Sequence, residues 1–383
     1  MQRNSIYLLL LSVVALVALG IVMLFSTSAF AQDSHGDIYY FVKRQLLWLG
    51  IGLVACVVTS LTDYHLWQRT WKICFGVALV LLALCFVPHL GMRINGSWRW
   101  LNVRVAVFQP SELGKIAAVF FMAAWFSREK IKTDPNNFFQ TLLLPLALLA
   151  LPMGLIAAEV DLGTTTLIGT TALAMMFVGG TRGIYLFPML GGGIAGLLGI
   201  IHLIPERAAR MMTFLHPESD KLGKGLQQWQ ALIAFGSGGI EGLGLGEGRQ
   251  KMLYLPYAHT DFIFPMIGEE LGLRATWLVI FCYLLILLCG GLIAANAQDR
   301  FGKLLALGLL FLISLQALVN IGMTISLLPN KGMPLPFISY GGSNLAACLF
   351  MVGILVNIHR SGIPLADPED RSVVLGSRAV PRF

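Results

Sequence analysis

Ten apolar runs, most of them long enough to cross a lipid bilayer, leave this chain few folds to choose from. They cover residues 6–27, 46–61, 73–90, 112–126, 142–158, 163–180, 184–204, 274–295, 303–328 and 341–359. A span needs roughly 20 predominantly apolar residues, with a working range of about 17 to 25. In hydrocarbon every backbone polar group must find its partner within the structure, so runs of this kind become helices. Of the 383 residues 56% are hydrophobic and only 12% charged, more apolar surface than one water-soluble core of this length can hide. The sequence predicts an all-α polytopic membrane protein of ten transmembrane helices, with a large extracytoplasmic loop, about 205–273, between helices 7 and 8. The fourth run is the weakest, because Glu112 and Lys115 lie in its first turns.

The first run ends near Ala29-Phe30-Ala31, which imitates a secretory cleavage site. The stretch from Ile6 to Phe25 is longer than the roughly 7 to 15 residues of a signal core, so it is read as a retained span. Lys and Arg in the short loops and tails number thirteen on the side of the termini and six opposite. That asymmetry places both termini in the cytoplasm. Residues 1–360 then form one membrane domain, and 361–383, with Pro364, Pro368 and mixed charges, read as a disordered cytoplasmic tail. The net charge of +7 is what membrane orientation and anionic head groups select for, so no nucleic-acid partner is expected. Six cysteines lie inside apolar runs, without the spacing of a disulfide framework or a zinc site.

The large loop has two parts. "PERAARMMTFLHPESDKLGKG" is polar, with room for a short interfacial helix between Pro205 and Pro217. The stretch from Leu226 to Leu273 is apolar and glycine-dense, which predicts a layer folded back against the bundle over a cavity on the outer side.

Chemistry is expected where polar groups interrupt the grease. In "AEVDLGTTTLIG", Asp161 stands at the start of a helix, where a carboxylate can cap free N–H groups, or, facing a cavity, take a proton from a sugar hydroxyl. On the same outer face fall Arg99 and Arg104, and then Glu112 and Lys115, whose spacing of three also fits a local ion pair. Further along come Lys251, His259, Asp261, Glu269 and Glu270, and at the mouth of the last two helices Lys331, Ser339, Tyr340 and Ser343. Cations, carboxylates and exposed backbone suit a substrate carrying a diphosphate and sugars. Gly242, Gly244, Gly246 and Gly248 do not make a Walker A loop, since no Lys-Ser or Lys-Thr follows. HExxH, GxSxG, CxxC and DxxD patterns are absent, which disfavours a zinc protease, a serine hydrolase or a soluble-type prenyl-diphosphate enzyme.

Four stretches, "NGSWRWLNV...FQPSELGK", "AEVDLGTTTLIG", "QWQALIAFGSGGIEGLGLGEGRQKMLYLPYAHTDFIFPMIGEELGL" and "LPNKGMPLPFISYGGSN", resemble the signature regions of the SEDS family (shape, elongation, division and sporulation), the FtsW/RodA-like peptidoglycan glycosyltransferases. The likeness runs from about residue 5 to 360. It implies ten helices with cytoplasmic termini in the bacterial inner membrane and polymerisation of lipid II on the outer face. It also implies Asp161 as the base for the acceptor hydroxyl and undecaprenyl diphosphate as the leaving group. Arg99, Arg104, Lys115, Lys251 and Lys331 become candidates to hold the diphosphate, with Glu112, His259, Asp261, Glu269, Ser339, Tyr340 and Ser343 as further substrate contacts. No metal site is assigned, and a divalent cation, Mg or Mn, stays open as an assistant. The implied partner is a class B penicillin-binding protein, a transpeptidase, alongside other division-site membrane proteins. Two positions depart from the family: Val160 stands where Pro is usual, and Asn344 where the last motif usually has Ser. Lys331 before Gly332 resembles the division-type branch more than the elongation-type one. A lipid II transporter and a scaffold without activity are the competing readings; carriers often show inverted repeats and broken midplane helices, neither evident in this sequence.

Overall fold

The computed structural model describes residues 2–28, 37, 39–94, 97–102, 107–134, 136–203, 214, 217–221, 223, 225–252 and 254–362. Twelve α-helices are labelled here: α1 Gln2–Ser28, α2 Tyr40–Leu61, α3 His65–Leu84, α4 Pro110–Phe126, α5 Glu129–Thr133, α6 Leu144–Ala158, α7 Leu162–Val178, α8 Gly183–Leu203, α9 Leu226–Gly238, α10 Ile263–Ala295, α11 Arg300–Thr324 and α12 Gly342–Gly362. A π-helical turn, Phe139–Leu143, leads into α6. Each of the ten apolar runs falls largely on one of these helices. Among the described residues seven helices are long and apolar enough to cross a membrane by length and composition: α1, α2, α3, the stretch Phe139–Ala158, α10, α11 and α12. The chain is a multi-pass membrane protein. The potential cleavage site at 29–31, most of the segment between Pro205 and Pro217, and the tail from 363 lie outside the described residues.

The bundle is layered by burial. The apolar windows of α12 and α11 are 83% and 61% buried, against 17% and 11% for α2 and α3, so the last two helices form the centre and α2 and α3 face lipid. Small residues bring helices together where water cannot drive association. A Cβ on Gly353 of α12 would fall 2.3 Å from the Cys56 carbonyl of α2, and one on Gly52 would meet Ala346 and Leu349. Almost every residue of α4 is buried, Glu112 and Lys115 included, so its polar start is covered by protein.

Two features depart from the all-α expectation of uninterrupted spans. The first is an antiparallel sheet of β1 Gly91–Ile94, β2 Ser97–Asn102 and β3 Val107–Phe108, in that order, with Met92 opposite Trp100 and Leu101 opposite Phe108. "GMRINGSWRWLN" carries an Asn-Gly pair between short β-prone runs, a hairpin signal that hydropathy windows pass over. The second is a break in α10, which begins at Ile263 and not at 274: Gly272 leaves the helical region with φ 75 and ψ −174. The break frees carbonyls, and the glycine-rich loop supplies their donors. Leu243 N donates to Glu269 O at 2.9 Å and Gly244 N to Glu270 O at 3.0 Å, while Leu273 N donates back to Gly239 O at 3.0 Å. Added Cβ atoms on Gly242 or Gly272 would strike backbone at 2.3 Å and 2.4 Å. Only glycine allows that approach, so the stretch expected to fold back is laid along the helix break by its own composition.

Candidate active site

Asp161 begins α7. Its Oδ1 accepts from Thr164 N at 3.0 Å, and its Oδ2 accepts from Thr164 Oγ1 at 2.9 Å and from Gln109 Nε2 at 3.4 Å. The capping reading is thereby realised, and the residue is only 3% exposed. Arg99, on β2, lies across the same turn: Nη2 donates to Val160 O at 2.5 Å and Nη1 stands 4.0 Å from Asp161 Oδ1. Gln109 N donates to Ser343 Oγ at 3.1 Å, tying the start of α4 to the start of α12.

The segment from Lys331 to Met333 runs past this helix start. A Cβ on Gly163 would meet Lys331 O at 3.2 Å and the Met333 side chain at 3.1 Å. On the other side of the same segment is Asp261, whose Oδ2 would be 3.6 Å from a Cβ on Gly332. Asn320 Nδ2 fixes both strands of this rim, donating to Asp261 O at 2.9 Å and Met333 O at 2.6 Å. Asp261 is half-buried, and desolvation, opposed by a 2.9 Å hydrogen bond from Thr260 Oγ1, pushes its carboxyl up to about 6. Next to it the His259 ring lies 4.4 Å from that of Phe41 of α2, tilted by 36°, and His259 O accepts from Tyr340 N at 3.0 Å. Gln45 holds the far side of Tyr340, its Nε2 donating to Ser339 O at 3.1 Å and its Oε1 accepting from Gly341 N at 3.4 Å. The Ser339 hydroxyl accepts from Leu335 N at 2.8 Å, so it serves the turn it belongs to.

A family model described as cell cycle protein, built on FtsW, RodA and SpoVE, matches residues 7–362. This chain belongs to the SEDS family. It is 41% identical to the probable peptidoglycan glycosyltransferase FtsW of Trichlorobacter lovleyi, over 94% of this chain and 93% of that one. It is 39% identical to the stage V sporulation protein E of Bacillus subtilis, over 92% and 96%. Among solved structures, a chain from a peptidoglycan synthase complex that coordinates polymerization and crosslinking superposes with a TM-score of 0.75 at 26% identity, covering 93% of this chain and 98% of that one. The rod shape determining protein RodA of Thermus thermophilus superposes with a TM-score of 0.67 at 26% identity, covering 92% and 95%.

The SEDS fold of this chain separates several residues that the sequence reading grouped. Lys115 is 3% exposed, and its ammonium donates to Glu112 Oε1 at 3.0 Å and Gln316 Oε1 at 2.8 Å. Asn344 Nδ2 donates to the other oxygen of Glu112 at 3.0 Å, so Glu112 too is held inside the bundle. Lys251 and Glu269 are likewise withdrawn. Lys251 Nζ lies 2.7 Å from Glu270 Oε1, 2.8 Å from Ser26 Oγ and 2.7 Å from Gly246 O. Glu269 accepts from Arg249 N and Gln250 N at 2.9 Å and 3.2 Å. Both carboxylates lock the glycine-rich loop onto α10. In each case the ionic group is paired because an unpaired charge at that depth would cost several kcal/mol. Arg104 lies outside the described residues.

A small cavity of about 10 Å³, room for about one water molecule, lies between α4, α7 and α11, lined among others by Lys115, Thr171 and Met175. Among the described residues there is no group of three or more His, Cys, Asp or Glu placed to hold a metal ion. The sequence reading passed over Gln109, Asn320 and Gln45, uncharged amides with no motif of their own. Gln109 alone had a local signal, as the residue before Pro110 at a helix start.

Proposed function

We propose that this chain polymerises lipid II into β-1,4 glycan strands on the outer face of the cytoplasmic membrane during cell division, releasing undecaprenyl diphosphate. The relatives' names support the reaction class, and Lys331 before Gly332 supports the division branch. The topology that goes with it has ten spans, both termini in the cytoplasm, residues 1–360 as one membrane domain, the loop of about 205–273 outside and the tail 361–383 inside. The structural neighbour from a peptidoglycan synthase complex supports a class B penicillin-binding protein as partner, with other division-site membrane proteins around it at the septum.

The observation that carries the mechanism is Asp261, a half-buried carboxylate with its proton affinity raised toward neutrality, beside the backbone of Gly332. A general base works best with a pKa near the working pH. In its ionised form Asp261 takes the proton of the acceptor's 4-hydroxyl while that oxygen attacks the anomeric carbon of an α-linked donor. The bond from that carbon to the diphosphate oxygen breaks, its electron pair leaves with the diphosphate, and the new linkage is β. Arg99 and Lys331 are the cations assigned to the diphosphate charge, with Tyr340, His259 and Ser343 along the same rim. Asp161, first assigned as the base, fits a second role better. Its oxygens are committed to Thr164 and Gln109, so it sets the start of α7 and holds Arg99 over the site. No step is routed through a divalent ion.

The test is purified protein with lipid II in detergent, alone and with the class B partner, read as glycan chain formation. Asp261→Asn is expected to lose activity by about 10² to 10⁴ with an unchanged melting temperature. Asp161→Asn is expected to lower the melting temperature along with activity. Full activity in Asp261→Asn, with a stably folded but inactive Asp161→Asn, returns the base to Asp161. Lipid II crossing sealed vesicles without polymer supports the transporter reading.

A further inference from the structure

We propose that the end of the bundle formed by the first turns of α3 and the last turn of α4 binds the head group of an anionic glycerophospholipid. Two indoles and three cations meet there. The Arg128 guanidinium lies 4.1 Å from the Trp125 ring centroid and 5.8 Å from that of Trp71, and Lys72 Nζ is 5.9 Å from Trp71. Arg69 stands one turn from Lys72 on α3. All three cations are exposed. Among the described residues, none of the three has an ion pair with a carboxylate. The acids nearby are Glu129, next in sequence to Arg128, Asp299, which accepts from the Tyr64 hydroxyl at 2.5 Å, and Asp63, whose carboxylate is held by His65 at 2.8 Å and feels the charge of Arg69 without a direct contact.

The indoles are set by packing. Trp125 Nε1 donates to Gln140 O at 2.9 Å, and the Trp71 ring lies 5.3 Å from that of the fully buried Phe121. The aromatic platform is therefore built before any ligand arrives, with Arg128 resting on it. Indoles at the ends of membrane helices sit at head-group depth, and cations beside them meet phosphodiester oxygens.

The same helix provides the acyl side. Ile73, Val77 and Val80 are 68%, 50% and 60% exposed, and their spacing of four and three puts them in one stripe running away from Arg69 and Lys72. The stripe belongs to α3, whose apolar window is only 11% buried. A free phosphate would use the cations and leave the stripe idle. A neutral lipid would use the stripe and bring no net anionic charge to the cations. An anionic lipid uses both, with its head at Arg69, Lys72 and Arg128 and a chain along Ile73, Val77 and Val80. Basic pockets between transmembrane helices take such head groups, at about 1 kcal/mol, or roughly five-fold in affinity, for each cation near the surface.

The experiment needs no assay of polymerisation. Full-length protein in nanodiscs of equal phosphatidylglycerol and phosphatidylcholine is stripped in steps with mild detergent, and the lipid retained is counted by native mass spectrometry. Phosphatidylglycerol is expected to be retained at least about five-fold over phosphatidylcholine. The triple variant Arg69→Ala, Lys72→Ala, Arg128→Ala is expected to bring that ratio near one. Lys43→Ala, Arg93→Ala, Arg274→Ala, which removes three exposed cations elsewhere, is expected to keep it. Equal retention in the wild type, an undiminished ratio in the first triple, or the same loss in the second overturns the proposal. Should the first triple fail to fold, Arg128→Gln and Lys72→Gln singly must each lower the ratio, and no change in either also overturns it.

Discussion

Lys251 Nζ sits 2.7 Å from Glu270 Oε1 with the two side chains 1% and 0% exposed, which makes this pair the seal between the glycine-rich loop and the broken helix α10. Removing one partner strands the other charge in protein. Lys251→Ala is expected to lower stability by about 3 to 5 kcal/mol, whereas the double change Lys251→Met, Glu270→Leu recovers most of it. Thermal melting in detergent of the two singles and the double checks this, and a double variant no better than Lys251→Ala would contradict it.

Val160 carries φ 65 between Glu159 and Asp161, with 59% of its surface exposed. The left-handed region crowds a β-branched Cβ and is free to glycine. Val160→Gly is expected to stabilise by about 1 kcal/mol. Val160→Pro is expected to destabilise, because the ring holds φ near −65. A φ of 65 is a backbone course closed to proline. Melting temperatures with opposite signs of change would bear this out.

Glu159 is a fully buried carboxyl whose ionisation is opposed. Burial pushes it from the ordinary 4.5 up to about 8; the Cys85 thiol and Arg99 pull it down and Asp161 pushes it further up. Between about pH 4.5 and 8 the unfolded chain has lost this proton and the folded chain keeps it. Stability from this group therefore falls as pH rises through that window, by at most about 1.4 kcal/mol per pH unit, and levels off above 8. Glu159→Gln is expected to flatten the slope and to raise the melting temperature at pH 8. A parallel pair of melting curves from pH 5 to 8 would refute it.

Asp261 gives a prediction on rate. With its carboxyl near 6, polymerisation is expected to fall about tenfold for each pH unit below that value and to plateau above it. Glycan formation in Asp261→Asn should be low and free of this limb. A wild-type profile flat from pH 5 to 8 would remove Asp261 from the role of base.

The amino-acid order alone settles roughly where the long apolar helices run, because a run of apolar residues favours the helix in hydrocarbon, but not where α10 begins, eleven residues before the apolar run that predicted it. It also places Asp161 at a helix start, since a capping carboxylate needs only the N–H groups of its own next turn, and Thr164 supplies one. Depth and partnership are another matter. Lys115, Lys251 and Glu269 look the same in sequence as Arg99 and Asp261, yet the first three are buried and hydrogen-bonded inside the protein while Arg99 and Asp261 stay on the rim. That division depends on segments far apart in the chain: Ser26 reaching Glu270 and Gln316 reaching Lys115 across 244 and 201 residues, and Asn320 tying Asp261, 59 residues away, to Met333. Electrostatic cost falls steeply with a well-placed partner, and only the packed tertiary structure brings such partners within 3 Å or so.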